Sequence, residues 1–377
     1  MIVFGIGAHL TAIGGVENSV RSMLATLRDD EEAIVVCHKA SVGEKLPFDI
    51  PLTKNIEVIE YQSITLSNQP LIDIYSSIFK SHPEARVICR HHLHVLAAKK
   101  VGLWVSYMVP SIISQQVSRE LQGRWTVAKL RLWAFGKLHQ WYQQRALTLA
   151  DHNFAFSESM RAQILAELTT DLQLSDIALV KPGIDPKRFY VLDDAQKRSV
   201  RERLGLPTDK RLLLFVGRLV RAKGLDVAIN SLALLPEDTE LVLVGFGDFR
   251  PELETLAALM GVNNRIHWMG AQSNVHDYYQ CADIFLMTSY YEPLGQTILE
   301  ATACGLPVVA FKQSEWVDTA TEELGLDKAV SLCAKPDATL LAECITVQSV
   351  SYERSLAISA QAHEKFSWRK LLDQLVA

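Results

Sequence analysis

The sequence predicts an α/β protein made of two doubly wound parallel-sheet domains facing one another across a cleft. Three observations predict it. Short, continuously apolar, β-branched runs recur along the chain, a helical stripe separates the first two, and the pattern restarts after Pro182-Gly183-Ile184-Asp185. Apolar runs without polar alternation suit strands buried on both faces, and such strands belong to parallel sheets covered by crossover helices. A chain of 377 residues with 49% apolar content has material for two such cores.

In the first half the strand-like runs are residues 2–6, 33–37, 56–61, 86–89, 103–108 and 153–156. Between the first two, Val16, Val20, Met23, Leu24 and Leu27 share one helical stripe, so the chain opens as strand, Gly-rich loop, helix, strand. In the second half, 211–216, 240–244, 266–269, 282–287 and 307–311 read as strands. Residues 225–235, 251–260, 274–281 and 297–304 read as the intervening helices. Lys181 to Asp185 and the charged stretch 193–203 mark the expected junction, which divides residues 1–183 from 184–359.

Composition narrows the function classes. A formal charge of −5 gives no global reason to expect nucleic acid. The start lacks a basic signal-peptide region, and no later stretch nears the apolar length of a membrane span, so a cytoplasmic protein is expected. Six cysteines without a CxxC pair suit buried thiols rather than a disulfide frame or zinc site.

In open parallel sheets ligands bind beyond the carboxyl ends of the strands, which directs attention to those loops. After the strand 211–216 come Gly217-Arg218 and then Lys223-Gly224, two cations in one strand-end loop. An Arg fork and a compact Lys charge suit a diphosphate, and solvated surface cations are the plainer alternative. The run from Tyr291 to Pro307 holds Glu292, a Pro293-Leu294-Gly295 loop, a helix beginning near Gly295 or Gln296, and Glu300 inside that helix. Unpaired amides of Gln296 and Thr297 at the helix start would attract an anion. Glu292 and Glu300 then lie where a sugar and a nucleoside would end. Carboxylates strung along one loop and helix bind hydroxyls rather than flank a scissile bond, although capping by Glu300 and exposure of Glu292 also fit. The first loop carries Gly14-Gly15-Val16-Glu17 at a helix start, a phosphate-binding loop or a tight turn, without the spacing of a dinucleotide fingerprint.

Taken together these residues resemble the group 1, family 4, retaining glycosyltransferases of the GT-B fold. The resemblance runs through Gly14–Glu17, Lys181-Pro-Gly-Ile-Asp185, Gly217-Arg218 with Lys223-Gly224, the Val244-Gly-Phe-Gly247 turn, Ala282-Asp283 and Glu292 to Glu300. It implies two Rossmann-like domains, the first binding acceptor and completed by a terminal helix at about 360–377, the second binding donor. Arg218 and Lys223 are then assigned to the donor diphosphate. Glu292 with the Pro293, Leu294 and Gly295 backbone falls to the transferred sugar, Gln296 and Thr297 to phosphate, and Glu300 to the ribose. Gly217 belongs to the same loop as Arg218, and Gly14 and Gly15 close over the phosphates. Glu292, Arg218 and Lys223 carry the catalysis, with no metal or cofactor.

One departure is plain. Many relatives have a histidine after the strand corresponding to 103–108, where this chain reads Tyr107-Met108-Val109-Pro110-Ser111. His91, His92 and His94, after the preceding strand, are the candidates to compensate on the acceptor side. The expected substrates are a UDP- or GDP-sugar and a glycan or lipid-linked hydroxyl, as in lipopolysaccharide or another bacterial surface glycan. A noncatalytic sugar-nucleotide-binding subunit and a GT-B sugar-nucleotide epimerase are the rival readings. Residues 119–145 hold six basic residues against Glu120, together with Trp125, Trp133 and Trp141. That composition suits a helix on the anionic inner face of the cytoplasmic membrane, or one packing its aromatics on the first sheet.

Overall fold

The computed structural model of the chain describes residues 1–12, 15–40, 55–62, 68–110, 127–167, 172–292 and 295–377. The expectations placed on Gly14, Pro293, Leu294 and residues 119–126 lie outside these. Met1–Gly183 with Trp368–Ala377 forms one compact unit, and Ile184–Ser367 forms the other.

The first unit is built on seven strands: β1 (Ile2–Gly5), β2 (Ala33–His38), β3 (Ile56–Tyr61), β4 (Arg86–Cys89), β5 (Trp104–Met108), β6 (His152–Ala155) and β7 (Ile177–Leu179). They pair in parallel in the order β3-β2-β1-β4-β5-β6-β7. Every residue of β1 is buried, and Ile2 pairs with Ala33 on one side and Arg86 on the other. This central, doubly covered position explains why β1 reads as an unbroken apolar run. The strand succession reverses between β1 and β4, which makes that point the switch of the sheet. The helix Gly15–Leu24 buries Val20, Met23 and Leu24.

The second unit repeats the plan. Strands β8 (Arg211–Val216), β9 (Thr239–Val244), β10 (Ile266–Gly270), β11 (Ile284–Met287), β13 (Val308–Phe311) and β15 (Val330–Cys333) pair in parallel in the order β10-β9-β8-β11-β13-β15. Here the switch falls between β8 and β11. A separate two-stranded piece pairs β12 (Tyr291–Glu292) with β14 (Asp318–Thr319).

Two expectations are corrected. The charged stretch 193–203 is not a linker but most of the helix Asp194–Leu204, part of the second unit. Asp193 and Gln196 form its capping box, and Gly205 ends it in the left-handed conformation. Arg201 is drawn inward, donating to Asp283 Oδ2 at 2.8 Å and to the Cys281 carbonyl at 2.8 Å. Asp283 also accepts from the Leu212 amide at 2.8 Å, so the Ala282-Asp283 element ties a helix to the starts of β8 and β11.

The closing segment is likewise two helices rather than one from about 360. Tyr352–Lys365 stays with the second unit, where Ser359 Oγ donates to the Ala303 carbonyl at 2.6 Å. Trp368–Val376 belongs to the first, where Ser106 Oγ donates to the Leu375 carbonyl at 2.7 Å. Extended Phe366, buried in the core of the second unit, separates them. At Gly183 an added Cβ would lie 2.1 Å from the Trp368 amide nitrogen, so the close approach of the terminal helix admits only glycine.

Candidate functional site

The switch point of the second unit gathers most of the second-half residues singled out in the sequence. After β8, the Gly217 amide donates to the Val244 carbonyl at 2.9 Å and the Leu219 amide to the Phe246 carbonyl at 2.8 Å. A Cβ on Gly245, at φ 140°, would lie 1.8 Å from the Gly217 carbonyl oxygen. The two strand-end loops therefore touch backbone to backbone, and side chains are excluded there. The Arg218 side chain projects from this pinned loop, exposed and without a hydrogen bond or ion pair to any described residue.

Lys223 is held differently. It closes the short 3-10 turn Arg221–Lys223, and Gly224 takes the left-handed conformation that starts the helix Leu225–Leu232. The Lys223 carbonyl accepts from Thr288 Oγ1 at 2.8 Å, and the Ala222 carbonyl accepts from the Tyr290 amide at 2.8 Å. A Cβ on Gly224 would lie 2.1 Å from the Thr288 carbonyl oxygen. The lysine is thus braced against the chain leaving β11.

The Lys223 ammonium donates to Glu292 Oε2 at 2.6 Å, with side chains 16% and 18% exposed. The other oxygen, Oε1, accepts from the Gly295 amide at 3.3 Å. Gly295, at φ 73°, is the N-cap of the helix Gln296–Ala303 and has no side chain to cap it. Gln296 and Thr297 therefore head the helix where amides lack carbonyl partners within the helix. One carboxylate links a cation to an anion-attracting helix start, a connection that sequence spacing alone did not disclose.

Glu300 lies one turn further, on the same face as Gln296. Burial pushes its carboxyl up to about 7, against the favourable influence of Tyr279, Arg188 and Gln296. The fully buried Tyr279 hydroxyl faces this carboxylate without a hydrogen bond of ordinary geometry. Tyr279 and Arg188 went unremarked in the sequence, because neither belongs to a motif and both reach Glu300 only through folding.

In the first unit, Gly15 begins its helix in open space: a Cβ there would meet nothing within 4 Å. The three histidines have separate fates. His94 is wholly buried, its Nδ1 2.9 Å from the Tyr75 hydroxyl and its Nε2 3.1 Å from that of Tyr61. His92 is buried with Nε2 2.8 Å from Nδ1 of His139. His91 caps the helix His92–Lys100 by accepting from the Leu93 amide at 3.3 Å, and its ring covers Gly7. Desolvation lowers all three, His91 to about 4 and His92 to about 2, and keeps them neutral at physiological pH. Among the described residues no group of three His, Cys, Asp or Glu side chains gathers to hold a metal ion.

Cations, a carboxylate and a helix start gathered at the switch point of a doubly wound unit make an arrangement chemically suited to a phosphorylated ligand. Comparison with known proteins makes this specific. Residues 196–346 match the family model described as glycosyl transferases group 1. They are 151 of the 377 residues, and over that segment the chain is similar to that family. A D-inositol 3-phosphate glycosyltransferase of Xylanimonas cellulosilytica is 42% identical over 146 residues, 36% of this chain and 35% of that one. The chain thus spans about a third of that relative's length. The solved structure of Anabaena Alr3699/HepE in complex with UDP superposes with a TM-score of 0.70 at 19% identity, covering 99% of this chain and 98% of that one. WaaG, a glycosyltransferase involved in lipopolysaccharide biosynthesis, gives 0.63 at 20% identity with full coverage of both chains. At these identities the structures establish the GT-B fold.

Proposed function

We propose that this protein is a retaining glycosyltransferase that moves a hexose-type sugar from a UDP- or GDP-sugar to a hydroxyl of a glycan or lipid-linked acceptor. The observation that carries the reading is the Lys223–Glu292–Gly295 linkage beside unpaired Arg218 at the second unit's switch point. The UDP held by a protein of the same fold supports a nucleoside diphosphate as its ligand. Lys223 and Arg218 neutralise the diphosphate, Glu292 accepts hydroxyls of the sugar, and Glu300 accepts those of the ribose. The bond from the anomeric carbon to the diphosphate breaks as the bond to the acceptor oxygen forms, and the acceptor proton passes to the departing phosphate. Catalysis then rests on positioning and on stabilising charge that develops on phosphate, which needs no metal.

Transfer belongs at a bacterial surface glycan such as lipopolysaccharide, the process named for WaaG. The helix Val127–Leu149 supports work at a membrane surface: Leu130, Trp133 and Trp141 are exposed on it, interleaved with exposed Arg131, Lys137 and Arg145. No described helix is long and apolar enough to cross a membrane; the association proposed is peripheral, on the cytoplasmic side.

Calorimetric titration of UDP and GDP into the native chain and Lys223→Ala tests the donor site. One nucleotide binds the native chain and binds the variant roughly 10- to 100-fold more weakly, as expected on losing a charge-assisted contact. Equal affinity for both chains removes Lys223 from the site.

A further inference from the structure

The first unit has a switch point of its own, between β1 and β4, and Arg90 is the first residue beyond β4 there. Its amide donates to the Gly5 carbonyl at 2.8 Å, which fixes the residue at the carboxyl edge of the central strands. The residue is only 4% exposed, yet its Nε and Nη1 have no hydrogen-bond partner among the described residues. The guanidinium carbon lies 5.2 Å from the centre of the Phe156 ring, a cation–π contact that gives Nε and Nη1 no acceptor atom.

The nearest influences do not fill them. Glu17, in the first turn of the helix Gly15–Leu24 and 8% exposed, favours the charged form of Arg90 electrostatically. It forms neither an ion pair nor a hydrogen bond with Arg90. Tyr107 offers a phenol that stays neutral, since burial raises it far above the physiological range. Neighbouring His91, His92 and His94 are neutral as well. Burial lowers Arg90 to about 10, so it keeps its charge at neutral pH.

A buried guanidinium with open donors is unfavourable unless an anion completes it. The Phe156 ring lies beside the group, and the unpartnered Nε and Nη1 are charged donors that suit oxygens of a phosphate or carboxylate. Glu17 close by is an acceptor only, suited to hydroxyls.

We propose that Arg90 and Glu17 form an oxyanion-and-hydroxyl site in the first unit, and that the acceptor is a sugar carrying a phosphate or carboxylate. The site follows from the first unit alone; its identity as the acceptor site rests on the glycosyltransferase reading above.

The test titrates glucose 6-phosphate, glucuronate and glucose into the native chain, Arg90→Met, Arg90→Lys and Glu17→Gln, with UDP titrated into each. At least one anionic sugar binds the native chain at millimolar concentration, glucose does not, and Arg90→Met weakens that binding at least about tenfold. Arg90→Lys retains part of it. Glu17→Gln, which loses the charged hydroxyl acceptor but keeps an amide oxygen, weakens it several-fold and by less than Arg90→Met. Whether the phosphate or the carboxylate sugar binds names the anion. Binding of neither anionic sugar to the native chain, or equal binding to native and Arg90→Met, overturns the proposal. Failure of UDP to bind the native chain would instead remove the donor reading and leave the Arg90 comparison intact.

Discussion

On the proposed donor reading, the ionisation of Glu300 reports most directly on nucleotide binding. Its carboxyl is raised to about 7 by burial, so near neutral pH a protonated form, less able to accept from the ribose hydroxyls proposed for it, competes with the ionised one. Ligand hydroxyls favour the ionised form, and affinity for the nucleotide therefore rises as pH climbs from about 6 to about 8. Titration across this range shows the rise in the native chain and its absence in Glu300→Gln; an identical slope in both would assign the pH dependence elsewhere. Glu292 acts through two contacts at once. Glu292→Gln retains the shape but loses the charge facing Lys223, and turnover is expected to fall by about 100- to 1000-fold, the range for removing one oriented electrostatic contact. The roles proposed for Arg218, Lys223, Glu292 and Glu300 were stated from the sequence. The Lys223–Glu292 pair, the buried face of Glu300 and the orphaned Arg90 were not legible there, because each depends on which strand ends become neighbours.

At the scale of elements, the runs that read as strands became strands, nearly or fully buried in β1, β4, β8 and β11 and largely half-exposed in β3 and β10. Three-residue β7, the two-residue β12 and β14, and partly exposed β15 gave no comparable signal. The stretch 193–203 misled because a charged helix with one inward Arg looks like a linker until Asp283 is seen to receive it. Asp283→Ala leaves Arg201, buried except for 7% of its side chain, without its carboxylate. A loss of roughly 3 kcal/mol in the denaturant unfolding of the second unit is expected. No change would mean that water replaces the carboxylate. The helix Val127–Leu149 carries a prediction of its own. Trp133, 44% exposed, and Trp141, 51% exposed, would enter the interface of an anionic vesicle. Flotation with phosphatidylglycerol vesicles is expected to recover the native chain at low salt and lose most of it for the Trp133→Ala/Trp141→Ala pair. Equal recovery of both would assign these tryptophans no membrane role.

At the scale of the molecule, the buried neutral histidines make the first unit sensitive to acid. Unfolded histidine protonates near 6.5, whereas His91 in the folded unit waits until about 4 and His92 and His94 lie lower. The unfolded chain binds more protons throughout that interval. Stability from this source is complete above about pH 6.5 and is lost progressively as the pH falls toward 4. Thermal unfolding at pH 7 and pH 5 measures it, and the drop is expected to shrink in His94→Gln, where an amide takes the place between Tyr61 and Tyr75. An unchanged drop would shift the acid sensitivity to other groups. The repeat of one architecture in two units was legible because the strand and helix pattern restarts after Pro182-Gly183-Ile184-Asp185. The resemblance implied that a terminal helix completes the first unit, as Trp368–Ala377 does; that Tyr352–Lys365 stays with the second unit was not legible, since an apolar face does not name the sheet it will cover.

The glycosyltransferase reading is tested most directly by following nucleoside diphosphate release from a panel of UDP- and GDP-sugars with the native chain, Lys223→Ala and Glu292→Ala. The native chain is expected to bind and slowly hydrolyse one donor without acceptor, with both variants impaired. A native chain that neither binds nor turns over any sugar nucleotide would contradict it.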